Sequence, residues 1–315
     1  MNADCIVFVS RANAADTAAW IAALSHAMPT EAIVPFAQLT PAQRASARVA
    51  IVANPDPAEL NALPVLQWVQ SLWAGVERML AELNNPQLGI VRLEDPQLAA
   101  TMAEAVLAWT LYLHRDMPAY AAAQRAKLWQ PLPLRLPAEQ CVAILGLGHL
   151  GKLAAKRLID AGFEVIGWAR TPQTSTHVET FSGIENLPVV LSRADIVVCL
   201  LPLTPLTKNL LNAERFAQMK PQAALINFGR GAIVNAADLI AALGSGRLSH
   251  AVLDVFETEP LPVTDPLWSN DKITILPHIS APTHKGSASL VVAGNIARFR
   301  VSGVAPRLVD RGVGY

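Results

Sequence analysis

Short apolar runs rich in Val and Ile alternate with Ala-rich stretches of helical character almost from end to end of the chain. A strand covered by helices on both faces of a parallel sheet reads as a continuous apolar run, not as an alternating one. The first third accordingly predicts strands at Cys5–Val9, Ala32–Phe36, Val49–Ala53 and Leu66–Leu72, with a helix around Ala14–Ala27. A long helical stretch follows from about Gln97 to Lys127, with Pro118 as its only internal proline, and its length suggests a bridge between domains.

The segment Leu128–Pro137 is punctuated by prolines and reads as a loop, because proline removes a backbone donor and fits neither helix interior nor central strand. The alternation then restarts, predicting strands near Cys141–Leu145, Glu164–Trp168, Ile196–Leu200, Ala224–Asn227, Ala251–Val255 and Ile273–Leu276. Six strands with intervening helices complete a doubly wound domain. A last helix, about Lys285–Val301, follows that closed set and has room to return to the first unit. The expected fold is α/β: two Rossmann-like or flavodoxin-like domains, each with a doubly wound parallel sheet, joined by two crossing helices. The expected division is a discontinuous substrate-binding domain of residues 1–98 plus 286–315 and a dinucleotide-binding domain of residues 99–285.

Composition narrows the classes of function. Apolar residues make up 52% and charged residues 16%, enough for a large core. Lys plus Arg and Asp plus Glu both count 25, and a chain without basic excess is not built for nucleic acid or an anionic membrane surface. Cys5, Cys141 and Cys199 lie in or beside strand-like runs without metal-ligand spacing, which reads as buried thiols in a reducing compartment and no metal site. The opening MNADCIVFVS lacks a basic segment and its apolar run stops at Ser10 and Arg11, so a cytoplasmic protein without signal peptide is expected.

The segment CVAILGLGHLGKLAAKRLIDAG places Gly146, Gly148 and Gly151 in G-x-G-x-x-G spacing directly after an apolar strand and at the opening of a helix. In that setting the first glycine permits the turn, the second lets a pyrophosphate approach the backbone, and the third lets helix pack on strand. The helix amino end adds free N–H groups and a positive dipole. The candidate cofactor residues here are Gly146, Leu147, Gly148, His149, Leu150 and Gly151. A purely structural glycine turn is the competing reading. An NAD site carries an acid about 20 residues further on, on the ribose hydroxyls. Here the second strand ends Gly167, Trp168, Ala169, Arg170, Thr171, with no acid. Arg170 and Thr171 therefore favour the 2′-phosphate of NADP, since a guanidinium binds phosphate in a fork. The competing reading leaves Arg170 as a solvated strand-end charge.

The runs INFGRGAIVNAADLIAAL, GRLSHAVLDVFETEPLPVTDPLW and ILPHIS are similar to the catalytic core of the D-2-hydroxy acid dehydrogenase family. SLWAGVERML, VRLEDPQLAATMAEAVLAW, LWQPLP and the terminal VDRGVGY resemble its glyoxylate/hydroxypyruvate reductase A branch. The resemblance spans essentially the whole chain. It implies Arg230 as substrate binder, Glu259 as the carboxylate that orients a histidine, and His278 as acid/base. It also implies Asp254 on the nicotinamide carboxamide, and Leu201 and Pro202, with Phe228 and Gly229, along the nicotinamide side. Ala74, Gly75 and Val76 would form the turn whose amides bind the substrate carboxylate. A homodimer through the nucleotide domain is implied too, and Trp129 in the proline loop is a candidate for a dimer contact.

The chemistry asks for the same residue types. Hydride arriving at a ketone carbon builds negative charge on its oxygen, and histidine, with an unperturbed pKa of ~6.5, is suited to protonate it. A neighbouring carboxylate fixes the ring and favours the imidazolium, and an arginine can hold a carboxylate while polarising the keto oxygen. Taken singly, His278 also reads as a loop histidine, Glu259 as a solvated neighbour of Glu257, and Asp254 as a turn cap. Two departures stand out. The branch has a large aromatic where this chain has Ala53, ahead of Asn54, Pro55 and Asp56, which implies a roomier pocket. Pro282 is unusual after the PHI segment. The expectation is an NADPH-preferring reductase of small 2-keto acids such as glyoxylate and hydroxypyruvate. A reductase of bulkier 2-keto acids and a non-catalytic dinucleotide-sensing interaction protein remain the alternatives.

Overall fold

The computed structural model describes residues 5–83, 85–173 and 178–312. Residues 1–4, where the reading of the amino terminus begins, and 313–315, the end of the VDRGVGY segment, lie outside them. The chain divides into two compact units, Met1–Leu98 with Thr283–Tyr315, and Ala99–Pro282. Both are α/β with parallel sheets, and no helix among the described residues is long and apolar enough to cross a membrane.

In the first unit the strands are β1 (Ile6–Ser10), β2 (Ile33–Pro35), β3 (Val49–Ala53), β4 (Trp68–Ser71) and β5 (Gly89–Val91), paired in the order β2-β1-β3-β4-β5. Strand β5 escapes the sequence pattern because it spans only three residues and begins with glycine. That glycine has a packing reason: a Cβ on Gly89 would lie 3.1 Å from the Trp68 Cβ and 2.9 Å from Leu308. Side chains alternate strictly. Ile6, Phe8, Ile51 and Ala53 enter one core, and Cys5, Val7, Val9, Ala50 and Val52 enter the other. The helices Ala14–Ala27 and Lys285–Ser302 cover the first face, the latter with Ala288, Val292, Ile296 and Phe299 at helical spacing. Pro282 lies ahead of that helix, which starts from a His284 cap, and leaves it intact. Within this core the buried Gln70 of β4 accepts from Asn295 Nδ2 at 2.7 Å and donates through Nε2 to the Ser71 carbonyl at 2.9 Å, so both ends of its amide are bonded.

The long helical stretch is two helices, Pro96–His114 and Met117–Arg125. Proline inside a helix clashes with the carbonyl four residues back. The chain avoids this by breaking at Asp116, which takes φ 54°, and restarting with Pro118 in the new first turn, where no N–H is needed.

The second unit contains β6 (Cys141–Leu145), β7 (Glu164–Ala169), β8 (Glu179–Ser182), β9 (Ile196–Cys199), β10 (Ala223–Asn227), β11 (Leu248–Leu253) and β12 (Ile273–Ile275). Their order is β12-β11-β10-β9-β6-β7-β8. One more strand forms than the apolar runs suggest, because β8 is an edge strand of sequence ETFS and only partly buried. From the central β6 the chain runs outward to β7 and β8, then returns to build β9 to β12 on the other side. The order thus reverses between β6 and β9, and ligands of open α/β sheets bind beyond the carboxyl ends of the strands at such a point.

His250 in β11 is 6% exposed, bonded through Nε2 to Thr274 Oγ1 at 2.9 Å and edge-on to Tyr112. Burial pushes its pKa down to about 4. The unfolded chain protonates this histidine near 6.5, so stability drains away as pH falls from about 6.5 towards 4. Replacing His250 with Gln should remove this component. Urea melts at pH 7.5, 5.5 and 4.5 should show the variant losing less stability on acidification than the wild type, and parallel curves would disprove the assignment.

Candidate active site

Every cofactor and catalytic candidate of the second unit follows the carboxyl end of a strand. The glycine turn follows β6, Arg170 and Thr171 follow β7, Leu201 and Pro202 follow β9, Phe228 to Arg230 follow β10, Asp254 and Glu259 follow β11, and His278 follows β12.

The three glycines of the turn have separate physical reasons. Gly146 takes φ 110°, where L side chains are strained, and a Cβ there would lie 2.9 Å from the Leu200 carbonyl oxygen. Gly151 has no room at all: its Cβ would sit 1.9 Å from the Gly146 oxygen. At Gly148 a Cβ would meet nothing within 4 Å. Packing therefore explains the first and third glycines, and leaves the second facing open space at the start of the helix His149–Asp160. Gly148 caps that helix without a side chain, so the first-turn amides of His149, Leu150 and Gly151 keep their hydrogens for another acceptor. This arrangement fits a dinucleotide pyrophosphate. The Leu147 side chain packs inward against Gly167 and can offer a ligand only its backbone. His149, Arg170 and Thr171 are exposed, whereas Leu201 and Phe228 are buried.

His278 and Glu259 are joined by a 2.7 Å hydrogen bond from imidazole Nδ1 to carboxylate Oε2. The other carboxylate oxygen accepts the Phe256 amide at 2.9 Å. With both its oxygens engaged, Glu259 cannot turn away, and it sets the tautomer of a neutral His278. The imidazole Nε2 has no partner among the described residues, and the side chain is 53% exposed, so this nitrogen is available to a substrate.

The backbone under His278 carries strain. Its φ is 54°, in the left-handed region, which costs a non-glycine residue about 1 kcal/mol or more. Asp254 offsets this. Its buried carboxylate accepts the next two amides, Ile279 at 2.7 Å and Ser280 at 2.9 Å, while its own amide bonds to the Asn227 carbonyl. The sequence reading gave Asp254 to the nicotinamide carboxamide. The geometry adds a task that reading missed, holding the His278 loop.

Arg230 is built by a turn that sequence reasoning only half explained. Asn227, 1% exposed, accepts the Gly229 amide through Oδ1 and donates through Nδ2 to the Arg230 carbonyl. Asn227 was missed as a positioning residue; an Asn at a strand end, two residues before Gly-Arg-Gly, was the available signal. The flanking glycines answer to contacts: a Cβ on Gly229 would lie 2.6 Å from the Leu201 oxygen, and one on Gly231 2.0 Å from the Phe256 carbonyl carbon. The Arg230 turn thus presses on Phe256, the residue whose amide anchors Glu259.

In the first unit, Ala74, Gly75 and Val76 link β4 to the short helix Glu77–Glu82, and Gly75 and Val76 line a recess with Asn54, Pro55, Trp73 and Met79. Ala53 does not line it. The strand alternation turns Ala53 into the core, 3% exposed, so the roomier pocket inferred from its small side chain does not follow.

The glycine contacts separate ligand approach from packing by substitution. Gly148→Ala should melt with the wild type yet lose dinucleotide affinity, whereas Gly151→Ala should lose about 1–3 kcal/mol of stability as the turn is forced apart. Thermal melts with a fluorescence titration of NADPH check this, and equal stability of the two variants would contradict it.

Comparison with known proteins shows the family. Residues 107–280 match the family model for D-isomer specific 2-hydroxyacid dehydrogenase, NAD binding domain. The glyoxylate/hydroxypyruvate reductase A of Yersinia enterocolitica is 37% identical over 302 residues, 94% of this chain and 96% of that protein. A D-isomer specific 2-hydroxyacid dehydrogenase from Xanthobacter autotrophicus Py2, solved with NADPH and MES, superposes with a TM-score of 0.92 at 38% identity, covering 99% of both chains. The NADPH-dependent glyoxylate/hydroxypyruvate reductase of Sinorhizobium meliloti, solved with NADP and sulfate, gives 0.90 at 32% identity over 99% of this chain and all of that one. The strand order, the glycine turn and these matches together make the chain a member of the D-isomer specific 2-hydroxyacid dehydrogenase family.

Proposed function

We propose that this protein reduces small 2-keto acids, glyoxylate and hydroxypyruvate foremost, to 2-hydroxy acids with NADPH. The observation that carries the reading is the Glu259–His278 pair, with Nε2 open, on the sheet edge that also bears the glycine turn. The unit with the glycine turn would hold the dinucleotide, and the unit with Gly75 the substrate carboxylate. When bound, the dinucleotide supplies a hydride to the keto carbon.

The residues of the chain do the rest. Arg230 pairs with the substrate carboxylate and polarises the keto oxygen. His278 donates the Nε2 proton to that oxygen as charge builds on it, and Glu259 stabilises the imidazolium beforehand. Arg170 and Thr171, exposed past β7 with Ala169 where an acid would stand, favour a ribose carrying a 2′-phosphate. The Xanthobacter and Sinorhizobium relatives, solved with NADPH and NADP, support that preference.

The proline loop supports a homodimer: Leu128, Trp129, Leu134 and Leu136 are all exposed along one short segment, an apolar run suited to a protein contact. Multi-angle light scattering should give twice the chain mass, and Trp129→Ser should lower it; a monomeric wild type would refute the dimer. Burial pushes the Cys141 thiol up to about 11 and the Cys199 thiol up to about 12, so neither is a reactive thiolate.

Steady-state assays with glyoxylate and hydroxypyruvate test the main reading. NADPH should give the higher kcat/KM, Arg170→Ala should erase that preference, and His278→Ala should lower kcat by about 10²–10⁴-fold. NADPH binding without turnover of any 2-keto acid would assign the chain to dinucleotide sensing instead.

A further inference from the structure

Trp73 stands immediately before the Ala74–Gly75–Val76 turn, and its backbone is pinned at both ends. Its amide donates to Ser71 Oγ at 3.0 Å, and its carbonyl accepts the Leu93 amide at 3.0 Å. The indole is held by packing: it meets the buried Trp20 edge-on, with ring centres 6.0 Å apart, and its Nε1 is shielded without an acceptor among the described residues. A ring fixed in this way is a rigid wall, and it lines the recess that contains Gly75 and Val76.

Ala53 complements it. Strands β3 and β4 are neighbours, Ala53 ends the first, and Trp73 packs against the cluster that Ala53 belongs to. Ala53 is 3% exposed within that core and leaves no vacancy for a substrate to fill.

We infer that Trp73 is the specificity-determining residue of this enzyme, the wall that confines its substrates to 2-keto acids with only hydrogen or a small group on the keto carbon. The inference rests on the proposed function, in which the Gly75 and Val76 amides take the substrate carboxylate. In a 2-keto acid the group on the keto carbon begins only two bonds from that carboxylate carbon, so it falls within reach of the same wall.

The test is a kcat/KM panel with NADPH for glyoxylate, hydroxypyruvate, phenylpyruvate and 4-methyl-2-oxopentanoate, in the wild type, Trp73→Phe, Trp73→Leu and Trp73→Ala. The wild type should favour the two small acids. Trp73→Ala should raise the phenylpyruvate to glyoxylate ratio by about 10-fold or more, Trp73→Leu should move it the same way, and Trp73→Phe should stay near the wild type. Dinucleotide affinity should be unchanged throughout, since Trp73 is on the other unit from the glycine turn. A wild type that handles phenylpyruvate as well as glyoxylate overturns the inference even if the smaller variants fail to fold. So does an unmoved ratio in folded Trp73→Ala and Trp73→Leu. A wild type that reduces no 2-keto acid overturns the proposed function itself.

Discussion

The carboxylate of Asp254 is buried at the end of β11, and it takes the amide hydrogens of the two residues that follow His278. Much of the geometry of the second unit's edge depends on this contact. A buried carboxylate is stable only when its oxygens are well bonded, and a histidine at φ 54° persists only when its surroundings hold it there. Each feature would be costly alone. Together they fix a loop, and the loop aims an imidazole whose Nδ1 meets Glu259 and whose Nε2 stays open.

The same edge is tied laterally. The Asp254 amide bonds to the Asn227 carbonyl, and Asn227 clasps the turn that carries Arg230. Gly231 lets that turn press on the Phe256 carbonyl, beside the amide that anchors Glu259. The positions of Arg230, Asp254, Glu259 and His278 are thus coupled through backbone contacts. A side chain at Gly231 would disturb Glu259 without touching it.

Much of this was legible in the sequence, for stated reasons. Strands buried on both faces write themselves as apolar runs, so most of both sheets could be read. The two that escaped, β5 and β8, are short strands at sheet edges, where few residues need be apolar. The glycine turn was legible because only glycine fits φ 110° at Gly146 and the 1.9 Å approach at Gly151. The break at Asp116 was missed because the helical pattern continues across it, and Pro118 alone signals that a helix must end and restart.

By itself, then, the sequence determined the fold class and the turn suited to a dinucleotide, because these depend on periodicity and backbone limits, while its resemblance to a known family pointed to Arg230, Glu259 and His278. Only the tertiary structure decided which groups hold them. Asn227 and Asp254 work through backbone amides distant in sequence, and no local pattern records such partners. The same holds for Ala53. Its small size alone suggested empty space, yet the fold turns it into the same core that Trp73 packs against, because volume in a packed interior is shared among neighbours and not owned by one position.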